Sequence, residues 1–126
     1  MELQQCLMSK HALKGANELP TYNKLVRDQI PGVIERSGKA FTTRILSEAE
    51  YKLELQKKLK EEIDEYMNAS SDQSAIEELA DLLELIHTIT VTHGSSFEEL
   101  EQVRIQKALA RGGFKDKVFL IDVADA

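Results

Sequence analysis

The sequence predicts a mainly α-helical protein, folded as an antiparallel helical bundle, and three observations support this. Apolar residues recur at helical spacing over three long stretches of the chain. The motif Ser-x-x-Glu, typical of a capping box, stands before each stretch, at Ser47, Ser74 and Ser96. Glycine follows the last two stretches, where it favours the left-handed conformation at a helix end.

These signals predict helices over about residues 48–68, 75–93 and 97–111. The segment NASSDQS, at 68–74, is rich in turn-forming residues. The first two helices are therefore expected to fold back on each other as a hairpin.

The N-terminal part of the chain predicts shorter elements. Leu25, Val26 and Ile30 have helical spacing and indicate a helix over 23–30. Pro31 either ends this helix or begins a second short helix over 31–36, since proline is favoured at the first helical position. The dipeptide at 37–38, Ser-Gly, then ends the helical region.

Two stretches are rich in β-forming residues, FTTRIL at 41–46 and KVFLIDV at 117–123. A lone strand would leave its backbone groups unpaired. We therefore expect the two stretches to pair in a small two-stranded ribbon, with coil as the alternative for both.

Length and composition define the class of protein. A chain of 126 residues is long enough for one domain, and we assign that domain to 21–126. Residues 1–20 are expected to be an extension, either disordered or a short helix up to about Leu13 followed by a linker.

The net charge of −6 argues against nucleic-acid and anionic-membrane partners, and no apolar run reaches membrane-spanning length. The lone Cys6 fits a reducing cytoplasm.

The first two long helices carry carboxylates in unusual positions. At about 100° per residue, Glu62 falls within the apolar stripe of its helix, with Glu65 on the flank. Glu78 falls within the apolar face of the next helix, with Asp81 beside it. Glu61 lies further out. Carboxylates that face a core must be paired, protonated or bound to a metal.

A divalent cation between the helices would neutralise these acids. All-oxygen ligands favour Mg²⁺, with Mn²⁺ as an alternative, over zinc. We expect Glu62, Glu65, Glu78 and Asp81 to bind the metal, with Glu61 in an outer position or on a second ion. The alternative is a solvated acidic face, which is common in a chain with 22 acids.

An ion held in this way suits the hydrolysis of a phosphoanhydride, since it neutralises phosphate charge and orients a water. The phosphate leaving group develops negative charge and needs further cations nearby. The candidates are Lys24 and Arg27 in the motif KLVRD, and Arg111 and Lys115 around the motif RGGF. Ordinary surface charge is the alternative for the first pair, and a helix stop followed by a turn for RGGF.

Three motifs together resemble a known group of proteins. EExxE at 61–65 followed by ExxD at 78–81 is similar to the all-α nucleoside triphosphate pyrophosphohydrolase superfamily. YNKLVRDQIP at 22–31 and RGGF at 111–114 narrow the resemblance to its small MazG-like and phosphoribosyl-ATP pyrophosphohydrolase-like members. The resemblance covers about 21–121.

The resemblance implies that the protein cleaves the α–β anhydride of a nucleoside triphosphate to a monophosphate and pyrophosphate, as in the removal of non-canonical nucleotides. It implies catalytic roles for Glu62, Glu65, Glu78 and Asp81, and a homodimer or higher homo-oligomer. The broad apolar face of the 75–93 helix also favours association. Two rivals stay open: a phosphoribosyl-ATP pyrophosphohydrolase of histidine synthesis, and a non-enzymatic helical dimer that binds a nucleotide or a protein.

Overall fold

The computed structural model describes residues 20–125, and its regular secondary structure is helical. Its helices are α1 Ile30–Arg36, α2 Glu48–Met67, α3 Asp72–Thr92 and α4 Phe97–Arg111. The prediction of a mainly α-helical protein is confirmed. The predictions for the extension 1–20, Cys6 included, lie outside the described residues except at Pro20.

The chain divides into two compact units, with the boundary between Leu85 and Ile86, inside α3. The first unit contains α1, α2 and most of α3. The second contains the last turns of α3, together with α4 and the C-terminal segment. The assignment of 21–126 to one domain stays a prediction.

Capping explains where the long helices begin. Ser47 and Ser96 each form the predicted capping box, in which the hydroxyl accepts from the N3 amide and the N3 glutamate accepts from the cap amide. The box predicted at Ser74 is wrong, because α3 begins at Asp72. The Ser71 hydroxyl accepts a hydrogen bond from the Ser74 amide over 3.1 Å, so Ser71 occupies the capping position.

The helix predicted over 23–30 is wrong, while the alternative short helix after it is confirmed. The segment 20–27 has no regular secondary structure, and Asn23 has a positive φ of 46°. The helix α1 instead spans Ile30–Arg36 and holds Pro31 in its first turn. Side-chain contacts of Lys24 and Arg27 with distant acids outweigh the weak helical spacing of residues 23–30.

The predicted β-ribbon does not form, since neither 41–46 nor 117–123 is a strand and both are coil. The apolar side chains of these segments are highly exposed; Ile45 is 95% exposed and Phe119 is 86% exposed. β-Forming residues stabilise a strand mainly through packing against neighbours, and these side chains are open to solvent.

The buried core is small. Among the described residues only Ile30, Leu55 and Leu85 are buried apolar residues. The short α2–α3 turn makes a hairpin in which Leu55 and Leu85 lie inside the first unit. None of the helices in the described part of the chain has the length and hydropathy that a bilayer span requires.

Candidate metal centre

The α2–α3 hairpin brings three acids together from two helices. The turn between the helices has only four residues, so the end of α2 lies beside the start of α3. Glu62 on α2 and Glu78 and Asp81 on α3 each offer a carboxylate oxygen, and these oxygens lie within 4.8 Å of one another. The i, i+3 spacing on α3 places Glu78 and Asp81 on the same side of that helix.

Glu62 is the most enclosed of these acids. It is the one charged residue that is buried among the described residues, at 7% exposure. Its Oε2 atom is buried and has no hydrogen-bond partner in the described part of the chain. Burial, followed by the negative charges of Glu65 and Asp81, raises the pKa of Glu62 to about 8. An unpartnered carboxylate oxygen inside a cluster of acids is suited to a cation.

Glu65 is not one of the three clustered acids, but its charge acts on two of them. Burial raises the pKa of Glu78 from its ordinary value, and the charges of Glu65 and Asp81 raise it further. Glu65 thus acts on both Glu62 and Glu78, so all four acids assigned to the metal share one field.

Basic side chains contact the rim of the cluster. The Lys24 Nζ atom donates to the Glu61 Oε1 atom over 3.0 Å, and Arg27 donates to the Asp81 Oδ1 atom over 2.6 Å. The KLVRD segment therefore lies against the same hairpin as the acids, as expected if it serves the same site. Glu61 is paired with lysine and is not one of the three clustered acids.

Lys58 is a neighbour of the site that the sequence reasoning missed. Its Nζ atom lies 3.9 Å from the Glu62 Oε1 atom, and both side chains are largely enclosed. Its charge opposes the rise in the pKa of Glu62. The spacing of four residues on one helix was the available signal.

Arg111 and Lys115 lie in the second unit and are exposed. Arg111 ends α4, and Gly112 follows with a positive φ of 82° that suits glycine. Their participation in the site stays a prediction.

The acids fit a hard divalent cation. All of the clustered donors are carboxylate oxygens, the ligand type of Mg²⁺ and Mn²⁺. Ligand oxygens around Mg²⁺, at bonds of about 2.1 Å, lie at most about 4.2 Å apart, which is comparable with the 4.8 Å within which these oxygens lie.

Comparison with known families identifies the family of the chain. The family model described as phosphoribosyl-ATP pyrophosphohydrolase matches residues 23–107, more than half of the chain. The chain belongs to the phosphoribosyl-ATP pyrophosphohydrolase family. This family is part of the MazG-like nucleoside triphosphate pyrophosphohydrolase superfamily, so the resemblance found in the sequence is confirmed.

As a member of the phosphoribosyl-ATP pyrophosphohydrolase family, the protein is a hydrolase that acts on a phosphoanhydride bond of a nucleotide. The match contains the acid cluster and the KLVRD motif, whereas RGGF lies beyond its end. Searches of curated proteins and of solved structures each return no significant match.

Proposed function

We propose that this protein is a Mg²⁺-dependent pyrophosphohydrolase that cleaves the α–β anhydride of a nucleotide triphosphate, with Mn²⁺ as an alternative ion. The observation that supports it most is the meeting of Glu62, Glu78 and Asp81 around one point, with a buried, unpartnered Glu62 oxygen. A bound divalent ion would supply Lewis-acid stabilisation of phosphate charge and a positioned water.

The acids would divide the work according to their environment. Glu62, which is enclosed and has an unpartnered Oε2 atom, would be the innermost ligand, with Glu78 and Asp81 completing the set from α3. Glu65 shares the field of Glu62 and Glu78, and we assign it to the metal as well. Glu61 would act from outside, since Lys24 already neutralises it.

Phosphate binding would fall to the basic residues. The exposed Arg27 guanidinium lies beside Asp81, close to where the phosphates of a metal-bound nucleotide would lie. Lys24 is enclosed and paired, so it would act mainly by holding this segment in place. Arg111 and Lys115 remain proposed phosphate ligands of the second unit. The space beside Gly112 and Gly113, which lie between them, is open.

Two substrates carry the triphosphate that this chemistry needs. The family description favours phosphoribosyl-ATP, as in histidine synthesis. A MazG-like role on non-canonical nucleoside triphosphates is the other candidate, because the sequence motifs resemble both groups of proteins. The same acids would serve both reactions, so the substrates must be distinguished by assay.

The test is a pyrophosphate-release screen over phosphoribosyl-ATP and canonical and damaged nucleoside triphosphates, with Mg²⁺, with Mn²⁺ and with chelator. We expect release from one of these classes, dependent on added metal and accompanied by the nucleoside monophosphate. Monophosphate accompanied by free orthophosphate at twice the amount, without pyrophosphate, would show cleavage at other bonds. Full activity in chelator would contradict the metal-dependent proposal.

We further propose a homodimer or higher homo-oligomer. Ile76, Leu79 and Leu83 follow one side of α3 at spacings of three and four residues, and they are 65%, 43% and 50% exposed. Such a stripe is typical of a helix that packs against another. Light scattering after gel filtration should give a multiple of 14.2 kDa. Leu83→Gln should shift the protein towards monomer, whereas the control Leu53→Gln, at an exposed position of α2, should not.

The chain's charge and cysteine content support two finer proposals. A net charge of −6 disfavours nucleic-acid and anionic-membrane partners, and one cysteine in the whole sequence fits a cytoplasmic location.

A further inference from the structure

Two basic residues of one segment pair with the acid site in different ways. Lys24 and Glu61 form an enclosed ion pair, with side chains 11% and 18% exposed. Arg27 and Asp81 form an open one, with side chains 51% and 40% exposed. The two residues are three positions apart, so one segment makes both a protected contact and an accessible contact.

The Arg27 contact engages a carboxylate that the site needs. Its guanidinium donates to Asp81 Oδ1 over 2.6 Å, and Asp81 is one of the three acids that converge on the candidate metal position. Arg27 and a divalent ion are both positively charged. They would therefore repel each other if both lay close to the Asp81 carboxylate. Arg27 is thus the counter-cation of Asp81 in this structure.

We propose that Arg27 is a mobile counter-cation that leaves Asp81 when metal binds and then contacts a phosphate oxygen of the nucleotide, while Lys24 remains on Glu61. This rests on the proposed metal-dependent function and adds to it an order of events. Metal binding frees the arginine, so metal is expected to favour nucleotide binding beyond its own contact with the phosphates.

The exposure of the pair makes such an exchange feasible. Solvent-exposed ion pairs contribute little free energy to the stability of a protein. The cost of displacing Arg27 from Asp81 should therefore weaken metal binding by at most about fivefold. A guanidinium contact to a charged phosphate oxygen should strengthen nucleotide binding by about ten- to a hundredfold. Removing Arg27 should therefore change the two affinities in opposite directions.

The experiment uses the full chain after removal of metal with chelator. Mn²⁺ binding is measured by electron paramagnetic resonance, without nucleotide. Binding of a nucleoside triphosphate with a non-hydrolysable α,β-imido bridge is then measured by calorimetry at saturating Mn²⁺. Arg27→Ala should tighten Mn²⁺ binding about two- to fivefold and weaken binding of the analogue at least about tenfold.

Two further variants separate this exchange from other effects. Lys60→Ala removes a positive charge from an exposed position on α2, two residues before Glu62, and should leave the affinity for Mn²⁺ within about 1.5-fold. Arg27→Lys keeps a charge that can pair with Asp81, so its Mn²⁺ affinity should match the wild type while the analogue binds more weakly, because lysine lacks the guanidinium fork.

Mn²⁺ affinity that is unchanged or weaker in Arg27→Ala would overturn the proposal, as would equal tightening in Lys60→Ala. Tighter Mn²⁺ with unchanged affinity for the analogue would also overturn it, because no transfer to phosphate would then occur. A wild-type protein that binds no Mn²⁺ would instead refute the proposed metal-dependent function itself.

Discussion

The raised pKa of Glu62 predicts an unusual pH dependence of stability in the metal-free protein. Burial and the neighbouring acids move this pKa from 4.5 to about 8 in the folded state. Between these values the unfolded chain is ionised at Glu62 while the folded protein still holds the proton. The folded state thus binds more protons, so the free energy of unfolding should fall as the pH rises from about 4.5 to about 8.

The magnitude follows from the two pKa values. Each pH unit of difference is worth about 1.4 kcal/mol, so a rigid site would lose about 5 kcal/mol across the interval. Water entry and small movements of the acids reduce the cost of a buried charge. We therefore expect a loss of about 2–3 kcal/mol, or ~10 °C in melting temperature for a chain of this size.

Glu62→Gln isolates this contribution, because glutamine resembles the protonated acid and does not titrate. With chelator present, urea unfolding of the variant and the wild type should agree within about 1 kcal/mol at pH 5. At pH 8.5 the variant should be the more stable by about 2–3 kcal/mol. Glu77→Gln, at an exposed position of α3, is the matched control and should follow the wild type. Stability curves for wild type and Glu62→Gln that stay parallel from pH 5 to 8.5 would refute the reasoning.

Two further predictions concern the metal and the start of α3. Mg²⁺ should stabilise the wild type by about 2.7 kcal/mol at a hundred times its dissociation constant, because only the folded state assembles the site. Thermal unfolding should show a much smaller stabilisation by Mg²⁺ in Glu78→Gln than in the wild type. A wild-type melting temperature that does not change with tens of millimolar Mg²⁺ would contradict the site. Ser71→Ala should cost about 1 kcal/mol in urea unfolding, whereas Ser74→Ala should cost less than about 0.5 kcal/mol. Equal costs would show that Ser71 does not cap α3.

The acid cluster could be predicted from the sequence because its geometry is local. Helical periodicity placed Glu62 within an apolar stripe and Glu78 beside Asp81. The turn predicted at 68–74 is short enough to bring the two helices together. Capping boxes at Ser47 and Ser96 depend on residues three apart, and both formed as predicted.

The errors arose where distant contacts decide the structure. The segment 23–30 has helical spacing, yet Lys24 and Arg27 contact acids 37 and 54 residues away. Sequence spacing carries no information about such contacts. At α3, Ser71 and Ser74 are both plausible caps, and only the position of the turn decides between them. The β-forming stretches lacked a neighbour to pack against, which composition does not reveal.

Pyrophosphate release by site variants tests the central claim most directly. Single-turnover release should be measured at saturating Mg²⁺, on the substrate that the screen identifies, for Glu62→Gln, Asp81→Asn and the control Glu77→Gln. If Glu62 and Asp81 hold the catalytic ion, each site variant should lose a factor of about 10² or more, while the control retains wild-type release. Near-wild-type release by Glu62→Gln or Asp81→Asn would contradict the assignment of the metal to this cluster.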